Sequence, residues 1–199
     1  MSTDLQIANR ALFKLGAAPI SSFEDQSEEG LAMKEFYRQI RDEIMSSYRW
    51  NFALSRAELM PLSRKPLFGF RLQYQLPRDF LRLEQVHNAN FHYDLMGYKL
   101  DEIKEFSIEG DCILTDIGPT LKIRYLRRVE NSELFPPTFV NALTDRLAME
   151  FCEKFTQSNS KLEIFAKKYK ADIIEAKKNN AIQLAVQSGP DTSVILGRL

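Results

Sequence analysis

Two histidines, His87 and His92, stand five residues apart with Glu84 and Asp94 nearby. A helical metal-binding pair needs a spacing of four, so these read as ordinary strand or loop histidines. Paired carboxylates are the next candidates: Asp42 with Glu43, and Glu102 with Glu105. Two acids about 5 to 10 Å apart can hydrolyse a glycosidic bond. Nothing in the sequence converges on either pair, and solvated acids are the expectation. Cys152 lies among apolar helix positions with no histidine near it, which marks a core thiol rather than a nucleophile. The chain carries no GxSxG, P-loop or GxGxxG pattern. No catalytic residue, metal or cofactor is expected.

The remaining chemistry is basic. Arg124, Arg127 and Arg128 form a dense spot at the end of a strand pattern. Lys161, Lys167, Lys168, Lys170, Lys177 and Lys178 are interleaved with Glu163, Asp172 and Glu175, the pattern of a solvated helix face or a weak DNA-facing stripe. Over the whole chain 27 basic residues balance 27 acidic ones, which argues against general nucleic-acid binding. The 199 residues, 44% of them hydrophobic, suffice for one domain, or a core with an insertion. Fourteen phenylalanines and seven tyrosines supply a core or large contact surfaces. Cys112 and Cys152 are too few for a disulfide framework or zinc site and are expected as buried thiols in a reducing compartment. No apolar run reaches transmembrane length, and the N-terminus lacks the apolar core of a secretory signal.

The elements that would position these residues fall into three blocks. A first helix is expected over residues 4–15, opened by Thr3 with Gln6 and stopped by Gly16. A linker pinned by Ile20 and Phe23 leads to a long amphipathic helix with Ser27 as N-cap. Leu31, Phe36, Ile40, Ile44 and Tyr48 form its apolar stripe, widened by Met33, Tyr37 and Met45. From Trp50 the period changes to two, with Trp50, Phe52 and Leu54 alternating as in a half-buried strand. Further strands are expected around Phe70–Leu76, Phe80–His87, Tyr93–Leu100, either side of Glu109-Gly110-Asp111, and over Leu121–Tyr125. Helix returns after Pro136-Pro137 with Val140, Leu143, Leu147, Phe151 and Phe155 in line, then again from about Lys161 to Val186.

The fold class expected is therefore α+β. Residues 1–49 and 130–186 form an antiparallel helical bundle from the two ends of the chain, 50–129 a central β-rich insertion lobe, and 187–199 an extended C-terminal arm. The arm carries Pro190, Val194, Ile195, Leu196 and Leu199, which must fold back or dock on a neighbour to leave water.

Several stretches together resemble the tail tubular protein A family of short-tailed bacteriophages. They are Leu15-Gly16 followed by Pro19-Ile20, a long helix ending in Trp50-Asn51-Phe52, and Pro77-Arg78-Asp79-Phe80-Leu81. The late helix from Phe139 to Phe155 and the tail also fit, so the likeness runs over nearly the full chain. Each motif is weak alone; order and spacing make the match specific. The resemblance implies a structural virion protein, a head-to-tail connector forming a ring of typically twelve subunits between the portal protein and a tail nozzle of tail tubular protein B type. Double-stranded DNA would pass through it unread. The protein would be made in the host cytoplasm and reside in the virion tail, with no membrane involved. The C-terminal arm would grip the portal, and Arg38, Arg41, Asp42 and Tyr48 on the long helix would meet a neighbouring subunit. The alternatives are a tail-associated polysaccharide- or peptidoglycan-degrading hydrolase built on two of the carboxylates, and a DNA-binding module built on the basic spot.

Overall fold

The structure, a computed structural model, describes residues 2–86 and 106–188, with side chains through residue 183. His87, His92, Asp94, Glu102, Glu105, the strand expected over 93–100 and the arm residues Pro190, Val194, Ile195, Leu196 and Leu199 lie outside the described residues. The chain divides into two compact units, one of residues 1–53 and 129–199, the other of residues 54–128. The described residues combine four α-helices with antiparallel sheets, an α+β fold.

The helical unit begins with α1 (Asp4–Leu15). Thr3 Oγ1 accepts from Gln6 N while Gln6 Oε1 accepts from Thr3 N, a reciprocal cap. Gly16 ends the helix at φ 78°, a left-handed conformation that L side chains adopt at a cost. The linker is pinned where expected. Asn9 exchanges two hydrogen bonds with the Ile20 backbone, at 2.8 and 2.9 Å, and Phe23 packs its ring against Tyr37. Helix α2 (Glu28–Ser47) starts from Ser27, whose Oγ accepts from Gly30 N.

The buried stripe of α2 runs through Ala32, Met33, Tyr37, Ile40, Ile44 and Met45. Leu31 and Phe36, expected in it, are 50% and 41% exposed. At Gly30 a Cβ would meet the Asp25 carbonyl of the linker, so that side of the first turn faces the linker and Leu31 faces outward. Phe36 retains one edge-on contact, with Phe151.

The strand expected from Trp50 starts later. Asn51–Ala53 is a 3-10 turn, and strand pairing begins at Leu54. Trp50 is 1% exposed, and its indole N–H donates back to the Ile44 carbonyl at 2.9 Å. Phe52 packs on Phe135 and Phe139, and Phe139 meets Trp50 edge-on at 5.1 Å. The alternation at 50 and 52 thus serves an aromatic cluster rather than a pleat. Helix α3 (Pro137–Thr156) follows a short 3-10 turn at Ser132–Leu134 and begins at the second proline, whose missing N–H is harmless at a first helical position. It is the central helix of the unit, touching α1, α2 and α4. Helix α4 (Asn159–Ser188) lies along α3 and buries Phe165 and Ala176.

The second unit holds two three-stranded antiparallel sheets. Strands β1 (Leu54–Leu59), β6 (Leu121–Arg127) and β3 (Phe80–Val86) make one, in the order β1-β6-β3. Strands β2 (Leu72–Gln75), β5 (Cys112–Thr115) and β4 (Phe106–Glu109) make the other, in the order β2-β5-β4. β4 and β5 are a hairpin turning at Gly110, φ 61°. One core lies between the sheets, with Tyr74 and Ile113 from the second facing Val86, Leu121, Ile123 and Tyr125 from the first. The tyrosine hydroxyls entering it are satisfied: Tyr74 donates to the Ile117 carbonyl and Tyr125 to Asp79. Cys112 and Cys152 are buried free thiols.

Candidate functional site

A cluster of charges in the helical unit centres on one buried carboxylate. Asp145 on α3 is 0% exposed. Its Oδ1 accepts from Lys14 Nζ of α1, and its Oδ2 lies 3.9 Å from Lys168 Nζ of α4. Asp172, one turn beyond Lys168, shares a hydrogen bond with Asp145. Burial lowers the Lys14 amine below the ordinary lysine range, although Asp145 opposes the shift. Asp172 moves the other way: burial first, then the bond to Asp145 and its charge, push its carboxyl up to about 6. Asp145 Oδ2 is buried and has no donor at hydrogen-bond distance while Asp172 is ionised. A proton on Asp172 supplies one. Two carboxylates and two ammonium groups thus join three helices. This pair is the nearest approach to an acid–base dyad among the described residues, but Asp145 is closed to any polymer chain. The arrangement suits a structural clasp.

The residues expected at a subunit contact are placed unequally. Arg38 is exposed, and with Asp4, Glu24, Lys34 and Glu35 it lines a cavity of about 310 Å³ beside α2. Tyr37 forms the cavity's inner wall and donates to Asp4 Oδ1 at 2.8 Å; burial, then the Asp4 charge, raises its phenol far above the usual range. Asp42 is half-buried and accepts from Arg41 Nε at 2.9 Å. Arg41 itself is 3% exposed, so it offers a neighbour almost no surface. Tyr48 is half-buried, edge-on to Trp50 at 5.2 Å, with Lys177 Nζ 5.3 Å from its ring centre. Asp42 and Glu43, considered as a catalytic pair, diverge: Glu43 accepts from Gln39 and faces Arg146.

Apolar side chains do reach the surface of the helical unit elsewhere. On α4, Ile164, Ile174 and Ile182 are 60%, 58% and 52% exposed, with Lys167, Ala171 and Lys178 between them. On α1, Phe13 is 83% exposed. The sequence signal for the α4 stripe is its lack of clean amphipathicity, since isoleucines fall on both the packed and the solvent side of one helix.

Arg124 and Arg127 are half-buried on β6, while the α4 lysines belong to the other unit. The described residues contain no cluster of metal-ligating side chains and no helix long and apolar enough to cross a membrane.

The fold is α+β, with a helical unit of residues 1–53 and 129–199 and a second unit of residues 54–128 that holds the described sheets. No protein-family model matches the chain, and no curated protein matches it.

Proposed function

We propose that the protein is a structural virion component, a head-to-tail connector of the tail tubular protein A type, forming a ring between portal and tail nozzle through which DNA passes. The observation that carries this reading is the exposed apolar surface of the helical unit, Phe13 on α1, Leu31 on α2 and Ile164, Ile174 and Ile182 on α4. Apolar side chains scattered singly need no explanation, but a stripe along one face of a long helix is a contact surface. A ring needs two different faces on each subunit, one meeting the other around the circle. The isoleucines of α4 would supply one such face, and Phe13 of α1 or Leu31 of α2 an anchor on the other. The order of the sequence motifs adds the portal and nozzle as partners, with residues 187–199 as the portal-gripping arm.

The test is to mix the protein with the portal ring of the same phage or prophage and weigh the product by native mass spectrometry. A discrete complex with one chain per portal subunit is expected, lost when residues 187–199 are deleted. Absence of any complex across salt and pH defeats the connector reading. Binding that survives the deletion defeats the role given to the arm.

A further inference from the structure

In the sheet β1-β6-β3, Arg56 stands directly opposite Arg124, and Lys122 opposite Glu58. Gln85 of β3 faces Arg124 from its other side. Side chains alternate across a strand, so Arg56, Glu58, Lys122 and Arg124 share the face that points away from the core lined by Leu121 and Ile123. Directly opposed residues hold their Cβ atoms about 4.5 to 5.5 Å apart, and like charges at that range repel. Among the described residues no carboxylate pairs directly with either arginine. Glu58 faces Lys122 and accepts from Thr120 Oγ1 at 2.9 Å, and neither arginine is in an ion pair. Arg124 Nε is moreover buried and has no hydrogen-bond partner. A cavity of about 460 Å³ opens over these side chains, lined by Arg56, Glu58, Gln85, Lys122 and Arg124.

An opposed arginine pair, an orphaned guanidinium N–H and an open cavity above both form a consistent set. We infer that this sheet face binds a phosphate group, held between the Arg56 and Arg124 guanidinium groups with Lys122 as a third cation. A tetrahedral oxyanion presents several acceptors at once, which two planar forks approaching from opposite strands can engage in pairs. It removes the repulsion between the arginines. A single carboxylate offers only two oxygens in one plane, fewer acceptors than two guanidinium forks can engage. Glu58, beside the arginine pair, repels a second anion and confines the site to one phosphate. The cavity is many times the roughly 30 Å³ share of one water, which leaves room for an organic group on the phosphate. That group can belong to a small phosphate ester or to a nucleic-acid backbone.

The experiment follows the backbone amide signals of β1 and β6 in the full chain by NMR, at constant ionic strength, as inorganic phosphate, a 5′-mononucleotide or a short DNA duplex replaces chloride. Saturable shifts with inorganic phosphate are expected, weakened by at least about tenfold in Arg124→Gln and in Arg56→Gln, whereas Arg78→Gln, an exposed arginine elsewhere in the unit, titrates like the parent. Using two arginine variants keeps the test valid should one fail to fold. Tighter binding of the mononucleotide assigns the site to a small ester. Tighter binding of the duplex, falling steeply with salt, assigns it to a nucleic-acid backbone. Shifts no larger than chloride produces, or Arg56→Gln and Arg124→Gln binding as the parent does, overturn the inference.

Discussion

Asn51, in the turn after α2, donates two hydrogen bonds to Asn180 on α4. Asn180 Oδ1 accepts from Asn51 N at 2.8 Å, and Asn51 Nδ2 donates to the Asn180 carbonyl at 3.0 Å. Asn180 Nδ2 also donates to the Arg49 carbonyl at 2.8 Å, so one 6%-exposed amide serves two backbone groups. The clasp fixes the segment that carries Trp50. Asn180→Ala leaves those half-buried groups without their partner, and should cost about 2 kcal/mol. Urea unfolding followed by the fluorescence of Trp50, the only tryptophan, should show a lower midpoint with an unchanged slope. An unaltered midpoint would show that the clasp contributes nothing.

The clasp at Asp145 gives a pH dependence of known sign. Asp172 holds its proton up to about pH 6 in the folded protein, whereas an unperturbed aspartate loses it near 3.8. Between those values the folded state binds more protons than the unfolded one, so this group's contribution to stability falls as pH rises through the window and stays lost above it. Asp172→Asn keeps a donor for Asp145 without the titration. The variant should gain on the parent protein between pH 4 and pH 7 in thermal melts. A constant difference across that range would rule out the shared proton.

Two glycines should differ in a telling way. A Cβ at Gly30 would collide with the Asp25 backbone carbonyl, in a loop that Asp25 itself braces by accepting from Ser21 N and Ser27 N. Gly16 has open space around it and only its left-handed φ to protect. Gly30→Ala should therefore cost about 2 kcal/mol and Gly16→Ala about 1 kcal/mol. Calorimetry would read the first as a drop of roughly 6 °C and the second as about half that. The reverse order would mean that the Asp25 loop yields freely.

Local chemistry was legible in the sequence where it acts locally. The Thr3–Gln6 cap, the Gly16 stop, the proline entry to α3 and the turn at Gly110 each depend on residues within a few positions of one another. The apolar line Val140, Leu143, Leu147 and Phe151 is buried because α3 is packed by three other helices. What escaped reading was long-range. Trp50 and Phe52 alternate with polar neighbours as strand residues do, yet their partners are Phe135 and Phe139, far along the chain. Lys168 and Asp172 look like one more solvated pair on α4 until Lys14 and Asp145 are brought to them. The Arg56–Arg124 opposition depends on strand register, which no run of residues in either strand reveals.

The route of the chain through its two units also sets a timetable. Lys14 and Asp145, which meet in the helical unit, are 131 residues apart in sequence, while the inserted unit is closed at its root by the pairing of Leu54 with Leu126. On the ribosome α1 and α2 emerge first and must wait for α3, something like 10 s or more at ordinary synthesis rates. The sheets can close in that interval, and the pairing of Leu54 with Leu126 sets the chain's entry and exit side by side before α3 is made. Nascent chains halted near residue 135, once clear of the ribosomal tunnel, should resist protease over 54–128 and be cut within 1–53. The shortened loop is worth only on the order of 1 kcal/mol in closure entropy. Its larger effect is chronological: the protein's first-made helices are its last to find shelter, and for that interval they are natural clients of a chaperone.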